Sequence, residues 1–135
     1  MERSDKLMKV RIPKKIRKTI PVRINECLSF KDLYKHISTH GLVGMKVVKG
    51  TDCKTVDILH LRVDINDIIG VITGYDMGFV GGWIDVEFDQ SDKMIKEFVS
   101  NNPKLIAVPR VFGEPTEDGG FKIKGLKTFV IYPAP

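Results

Sequence analysis

The sequence predicts an α+β domain: a mostly antiparallel β-sheet or small barrel with two short helices and an extended basic N-terminal arm. Three observations carry this. Two segments place apolar residues at helical spacing behind capping residues. Most of the remainder alternates apolar and polar residues with period two, the pattern of half-buried antiparallel strands. The positive charge is gathered at one end of the chain. Residues 1–23 hold nine Lys or Arg against two acids, a net of +7, while the remaining 13 bases and 15 acids leave −2.

The arm, residues 1–23, contains "KVRIPKKIRKTIPVRI". Pro13 and Pro21 argue against a helix there and for an extended segment able to pair with a sheet edge. Its cations Arg11, Lys14, Lys15, Arg17, Lys18 and Arg23 are the candidate partner-binding residues, since a basic segment is drawn to polyanions. It has no aromatic residue, so it offers no platform for base stacking.

Residues 24–135 are read as one domain, a size able to bury roughly two-thirds of the surface its unfolded chain exposes. "CLSFKDLYKHISTHG" predicts a helix over about 29–40. Ser29 is the N-cap, Asp32 lies three residues on, Leu28 staples onto Leu33, and Gly41 supplies the left-handed stop. Phe30, Leu33, Tyr34 and Ile37 form its apolar stripe. "LVGMKVV" and "KTVDILHLRVDI" read as strands, followed by a hairpin of "DIIGVITGYD" and "GFVGGWIDVEFD" turning near Asp76, Met77 and Gly78. In the second arm of that hairpin Ile84, Val86 and Phe88 point to the core, and Trp83, Asp85 and Glu87 point away. A second helix is predicted over about 91–101, capped by Ser91, with Met94, Ile95, Phe98 and Val99 buried and Asn101, Asn102 and Pro103 as the stop. A last hairpin joins "KLIAVPRVFG" to "GFKIKGLKTFVIY" through the polar turn "EPTEDGG".

No cofactor or metal is predicted. The two cysteines, Cys27 and Cys53, form no CxxC pair, which argues against a cysteine zinc site and a disulfide framework. No GxxxxGK[ST] loop is present. His36 and His40 share a helix face but lack the HExxH context, and read as helix-end histidines that bond the last carbonyls. His60, in the middle of a predicted strand, is the one candidate general base. It would need a nucleophile within hydrogen-bond reach. Ser29 and Ser91 are assigned to caps, and Ser4, Ser38 and Ser100 lie in the arm or at helix ends. No apolar run reaches the ~18 residues a membrane span requires. The charged N-terminus is unlike a secretory signal, so no membrane association and no secretion are expected.

From His60 onward the order of pieces is distinctive: His60, "IIGVITG", "GGWIDVEF", "DKMIKEFV", "KLIAVPRVFG", "EDGG" and "LKTFVIYPAP". This succession resembles the capsid-maturation (prohead) proteases of tailed phages, which are related to the herpesvirus assemblin. The resemblance covers residues 60–135 and implies a catalytic serine on the strand "KLIAVPRVFG". Here that position falls at Pro109, beside Ala107, and neither side chain has a nucleophilic atom. It therefore implies a non-enzymatic virion protein, a head decoration or stabilising component in the virion or host cytoplasm. That component would be oligomeric in an assembly, with the basic arm on neighbouring capsid subunits or packaged DNA. Two alternatives stand beside it: a small phage-encoded module binding nucleic acid or a host protein, such as a defence inhibitor, and an active maturation protease using His60.

Overall fold

A computed structural model describes residues 14–24, 28–50, 67–119 and 121–134. Its elements in chain order are β1 (Lys15–Pro21), α1 (Phe30–His40), β2 (Lys46–Lys49), β3 (Ile68–Met77), β4 (Gly82–Asp89), α2 (Lys93–Asn101), β5 (Leu105–Pro115) and β6 (Phe121–Pro133). The strand expected in "KTVDILHLRVDI" lies outside the described residues, as do His60, Arg11, Cys27 and Cys53.

The six strands form one sheet in the order β1-β4-β3-β2-β6-β5. Every neighbouring pair is antiparallel except β2 and β6, which run parallel through Val48–Val130 and Lys49–Ile131. The α+β class therefore holds. The sheet is open, but its two edges touch. Val22, just after β1, bridges to Ala107 on β5, and the Arg23 N–H donates to the Ala107 carbonyl at 2.9 Å. One bridge falls short of barrel closure, which would need paired strands along the whole seam.

The core follows the period-two pattern. Ile84, Val86 and Phe88 of β4 are fully buried. Ile84 pairs with Ile20 on one side and Tyr75 on the other, and Val86 lies across from Ile72. Leu33 and Ile37 of α1, and Phe98 and Val99 of α2, join the same cluster. The β5–β6 hairpin is apolar on both faces at its base. Leu105, Ala107, Phe129 and Ile131 enter the main core, while Ile106, Val108, Val130 and Tyr132 form a second cluster with Val48. This explains why "LIAVP" and "FVIY" read as unbroken apolar runs rather than alternating ones. Thr128 is the buried polar residue here, and its hydroxyl donates to the Lys46 carbonyl at 2.7 Å, tying β6 to the start of β2.

The first helix starts and stops as the sequence predicts. The Asp32 N–H donates to the Ser29 hydroxyl oxygen at 3.1 Å, and Gly41 takes φ 77° with its N–H on the Ile37 carbonyl. Three other expectations are corrected. Ser91 does not cap α2; its hydroxyl and N–H both donate to Asp89, so the cap falls to Asp92, which accepts from the N–H groups of Met94 and Ile95. Met94 lies 72% exposed rather than in the buried stripe, which Phe98 and Val99 fill together with the partly buried Ile95. The β3–β4 turn spans residues 78–81 rather than 76–78, closed by the Gly78 N–H on the Gly81 carbonyl at 2.9 Å. Gly82 sets this limit, since a Cβ there would collide with the backbone of Asp76 and Met77.

The caps give a test. Asp92→Ala should cost about 1 kcal/mol of unfolding free energy in urea denaturation. Asp92→Asn should recover most of it, and Met94→Ala should cost well under half as much.

Candidate binding surface

The position where the resemblance calls for a serine is a buried proline in a sheet edge. Pro109 lies on β5, an outer strand of the sheet, and pairs with Phe129 of β6. Ala107, two residues earlier, turns its carbonyl away from β6 to accept from Arg23. Backbone groups two residues apart in a strand face the same way. The N–H that proline lacks therefore belongs to the edge side, so the sheet loses no ladder bond. Beside Pro109, Arg110 donates from Nη2 to the Tyr132 hydroxyl at 2.6 Å.

The basic segment is divided by the fold. Of residues 1–23, residues 15–21 are indeed extended, but as a strand of the domain's own sheet. Lys15, Arg17 and Thr19 lie on its outer face, opposite Asp89, Glu87 and Asp85 of β4. Lys15 Nζ stands 3.6 Å from Glu87, and the Thr19 hydroxyl donates to Asp85 at 2.6 Å. Lys18 falls on the opposite, inward face of β1 at a half-buried position across from Val86. Lys14 is exposed just before the strand, and Arg23 is exposed at the seam between the two sheet edges. Much of the positive charge of Lys14, Lys15 and Arg17 therefore faces the carboxylates of β4. Asp89 registers this: the hydrogen bonds from Ser91, then Lys15 and Lys14, hold its carboxyl below the usual range.

The histidines of α1 behave as helix-end histidines. His40 Nδ1 lies 2.9 Å from the His36 carbonyl oxygen, and the two rings stack with centroids 4.2 Å apart. Burial, and then the neighbouring His40, lowers the His36 pKa. The pair lines a groove of about 460 Å³ between α1 and the β5–β6 turn, with Asp32 and Lys35 on the helix and Asp118 and Lys122 on the hairpin. Among the described residues, no group of three or more His, Cys, Asp or Glu side chains comes together to hold a metal. No helix among them is long and apolar enough to cross a membrane.

Sequence reasoning missed the exposed apolar end of the β3–β4 hairpin. Val80 is 95% exposed and Phe79 57%, with the Phe79 ring edge-on to Tyr34 at 5.2 Å and under Lys31 Nζ at 5.9 Å. Trp83, read correctly as outward-facing, is 46% exposed beside Pro21. The signal for the tip was the glycine spacing: Gly78, Gly81 and Gly82 bracket Phe79 and Val80 and mark them as the loop.

Comparison with protein-family models, with curated proteins and with solved structures found no match.

The histidine pair yields a titration with a worked sign. His36 is depressed, so its contribution to stability is full above the ordinary histidine pKa and fades as pH falls through its lower native value. In ring-resolved NMR titration His36 should change protonation at lower pH than an unperturbed histidine. His40→Gln should raise its midpoint only in part, because burial is the larger cause. A midpoint at or above the unperturbed value would contradict the assigned packing.

Proposed function

We propose that this protein is a non-enzymatic, head-associated virion component that works by binding neighbouring subunits. The observation that carries the reading is Pro109. A proline on the strand where the resemblance calls for a nucleophile cannot attack a carbonyl, and its place on a sheet edge suits it structurally. The side chain there serves the fold, and what remains for function is surface. Loss of the nucleophile alone removes nearly all the rate enhancement of a triad.

The surface that supports binding is the basic N-terminal segment together with β1. Residues 1–13 carry Arg3, Lys6, Lys9 and Arg11 ahead of the strand. Extended chain added to the sheet edge of a neighbouring subunit gains main-chain hydrogen bonds, and its cations add attraction to an acidic surface. The order of the segments from "IIGVITG" to "LKTFVIYPAP", through its resemblance to the prohead proteases, is what supports a phage head over another assembly.

The test is co-sedimentation with empty capsid shells. Removal must stop at residue 13, because Ile20 and Val22 are buried in the core and deleting them would unfold the sheet. The full chain should pellet with shells, and the chain lacking residues 1–13 should bind at least tenfold more weakly. Equal binding by the two would remove the N-terminal segment from the mechanism, and no binding by the full chain would sink the head assignment. Scaffold cleavage that vanishes in His60→Ala would overturn the non-enzymatic reading.

A further inference from the structure

We infer that the groove between α1 and the β5–β6 turn binds a phosphate group, its paired histidines gaining protons as the anion enters. This goes beyond the head-protein reading and does not rest on it, since it needs only one chain and a small ligand.

The groove gathers basic groups from two elements far apart in the chain. Lys35, His36 and His40 come from α1, and Lys122 comes from β6. Among the described residues, neither lysine forms an ion pair. Lys122 lies across the hairpin from Glu114, but the Glu114 carboxylate is taken by Lys124 at 2.7 Å, and Lys122 acts on it only as a weaker charge through space. The facing acids are Asp32 and Asp118. Asp32 accepts from the Ser29 hydroxyl at 2.8 Å at the helix cap, and Asp118 accepts from the Thr116 hydroxyl in the turn. Both carboxylates thus belong to local structure, and the two lysines have no such assignment.

With both histidines neutral, the lysines and carboxylates balance and the groove carries no net charge. Each histidine that protonates adds one positive charge. His40 is arranged for this. Its Nδ1 lies 2.9 Å from the His36 carbonyl oxygen and must carry a proton to donate there, which leaves the lone pair on Nε2. On protonation Nε2 becomes a second, charge-assisted donor. The His36 ring stacks on it with centroids 4.2 Å apart, so a second proton is repelled by the first. Burial, and then His40, already lower the His36 pKa. The pair therefore resists full protonation until a counter-charge arrives.

A phosphate group is the counter-charge that fits. It carries close to two negative charges and three strong acceptor oxygens, so it offsets both imidazolium charges and accepts from both lysines at once. A carboxylate, with one charge, offsets one. The groove volume of about 460 Å³ lies in the range of small-molecule sites. Phe121 and Ile123 form an apolar wall beside the cations, against which the organic part of a phosphomonoester would pack. Binding and protonation are then reciprocal: the anion raises the affinity of the histidines for protons, and protons raise their affinity for the anion by the same factor.

Ring-resolved NMR titration of the full chain tests this, run in sodium sulfate and in sodium chloride of equal ionic strength. Sulfate is the first probe because it stays dianionic across the histidine range, so any pH dependence belongs to the protein. It should move the His36 and His40 midpoints upward, and should bind about tenfold more tightly where both rings are protonated than where both are neutral. Lys35→Gln and Lys122→Gln, both at exposed positions, should each weaken binding about fivefold or more. Lys127→Gln, a cation over Phe112 outside the groove lining, should leave it unchanged. Inorganic phosphate and phenyl phosphate then separate the sources: tighter binding of the ester assigns a small phosphomonoester, and tighter binding of the inorganic ion assigns free phosphate. Midpoints that match the chloride control overturn the inference. So does binding that survives either groove substitution, or that Lys127→Gln weakens as much, since that is diffuse attraction to a basic protein.

Discussion

The register of β4 is the constraint on which the rest of the molecule depends. Side chains alternate faces along a strand, so a slip of one residue would carry Ile84, Val86 and Phe88 into water and bring Trp83, Asp85 and Glu87 into the core. Burial of three large apolar side chains at roughly 1.5–3 kcal/mol each holds that register against any competing alignment. Because β4 sits between β1 and β3, the same register sets both neighbours. It lays Lys15 and Arg17 opposite carboxylates, aligns Ile20 with Ile84, and fixes where the hairpin must turn.

The basic N-terminal segment changes meaning once that register is known. A run of cations in sequence suggests a free polyanion-binding arm. In the fold, its second half is an edge strand whose charges face Asp85, Glu87 and Asp89. Cross-strand pairs of this kind are worth little individually in water. They still lower the field that the strand presents outward. Lys15 and Arg17 also protect the exposed edge of β1 from indiscriminate pairing, as charged residues on edge strands do.

Pro109 shows how one residue can matter to both structure and function. In the middle of a sheet it would cost a ladder hydrogen bond. On β5 the missing N–H faces the seam, where Val22 and Arg23 meet Ala107 between the two edges. The sheet thus stops just short of closing, and proline helps to stop it. The apolar tip is a different departure from local rules, since Val80 is almost wholly exposed among the described residues.

The sequence by itself determined the α+β class, the helix over α1 with both its ends, the inward row of β4, and the last hairpin with its polar turn. Each of these rests on short-range chemistry: a cap, a glycine at positive φ, or a period-two pattern read within a few residues. It named Ser91 as the cap of α2, where the structure has Asp92. That choice depends on Asp89, which occupies the Ser91 hydroxyl and hands the cap to Asp92. The tertiary structure alone decided the strand order, the parallel β2–β6 pair and the meeting of the basic strand with the acids of β4. These contacts join residues tens of positions apart, and no local pattern encodes which distant strand a given strand will pair with.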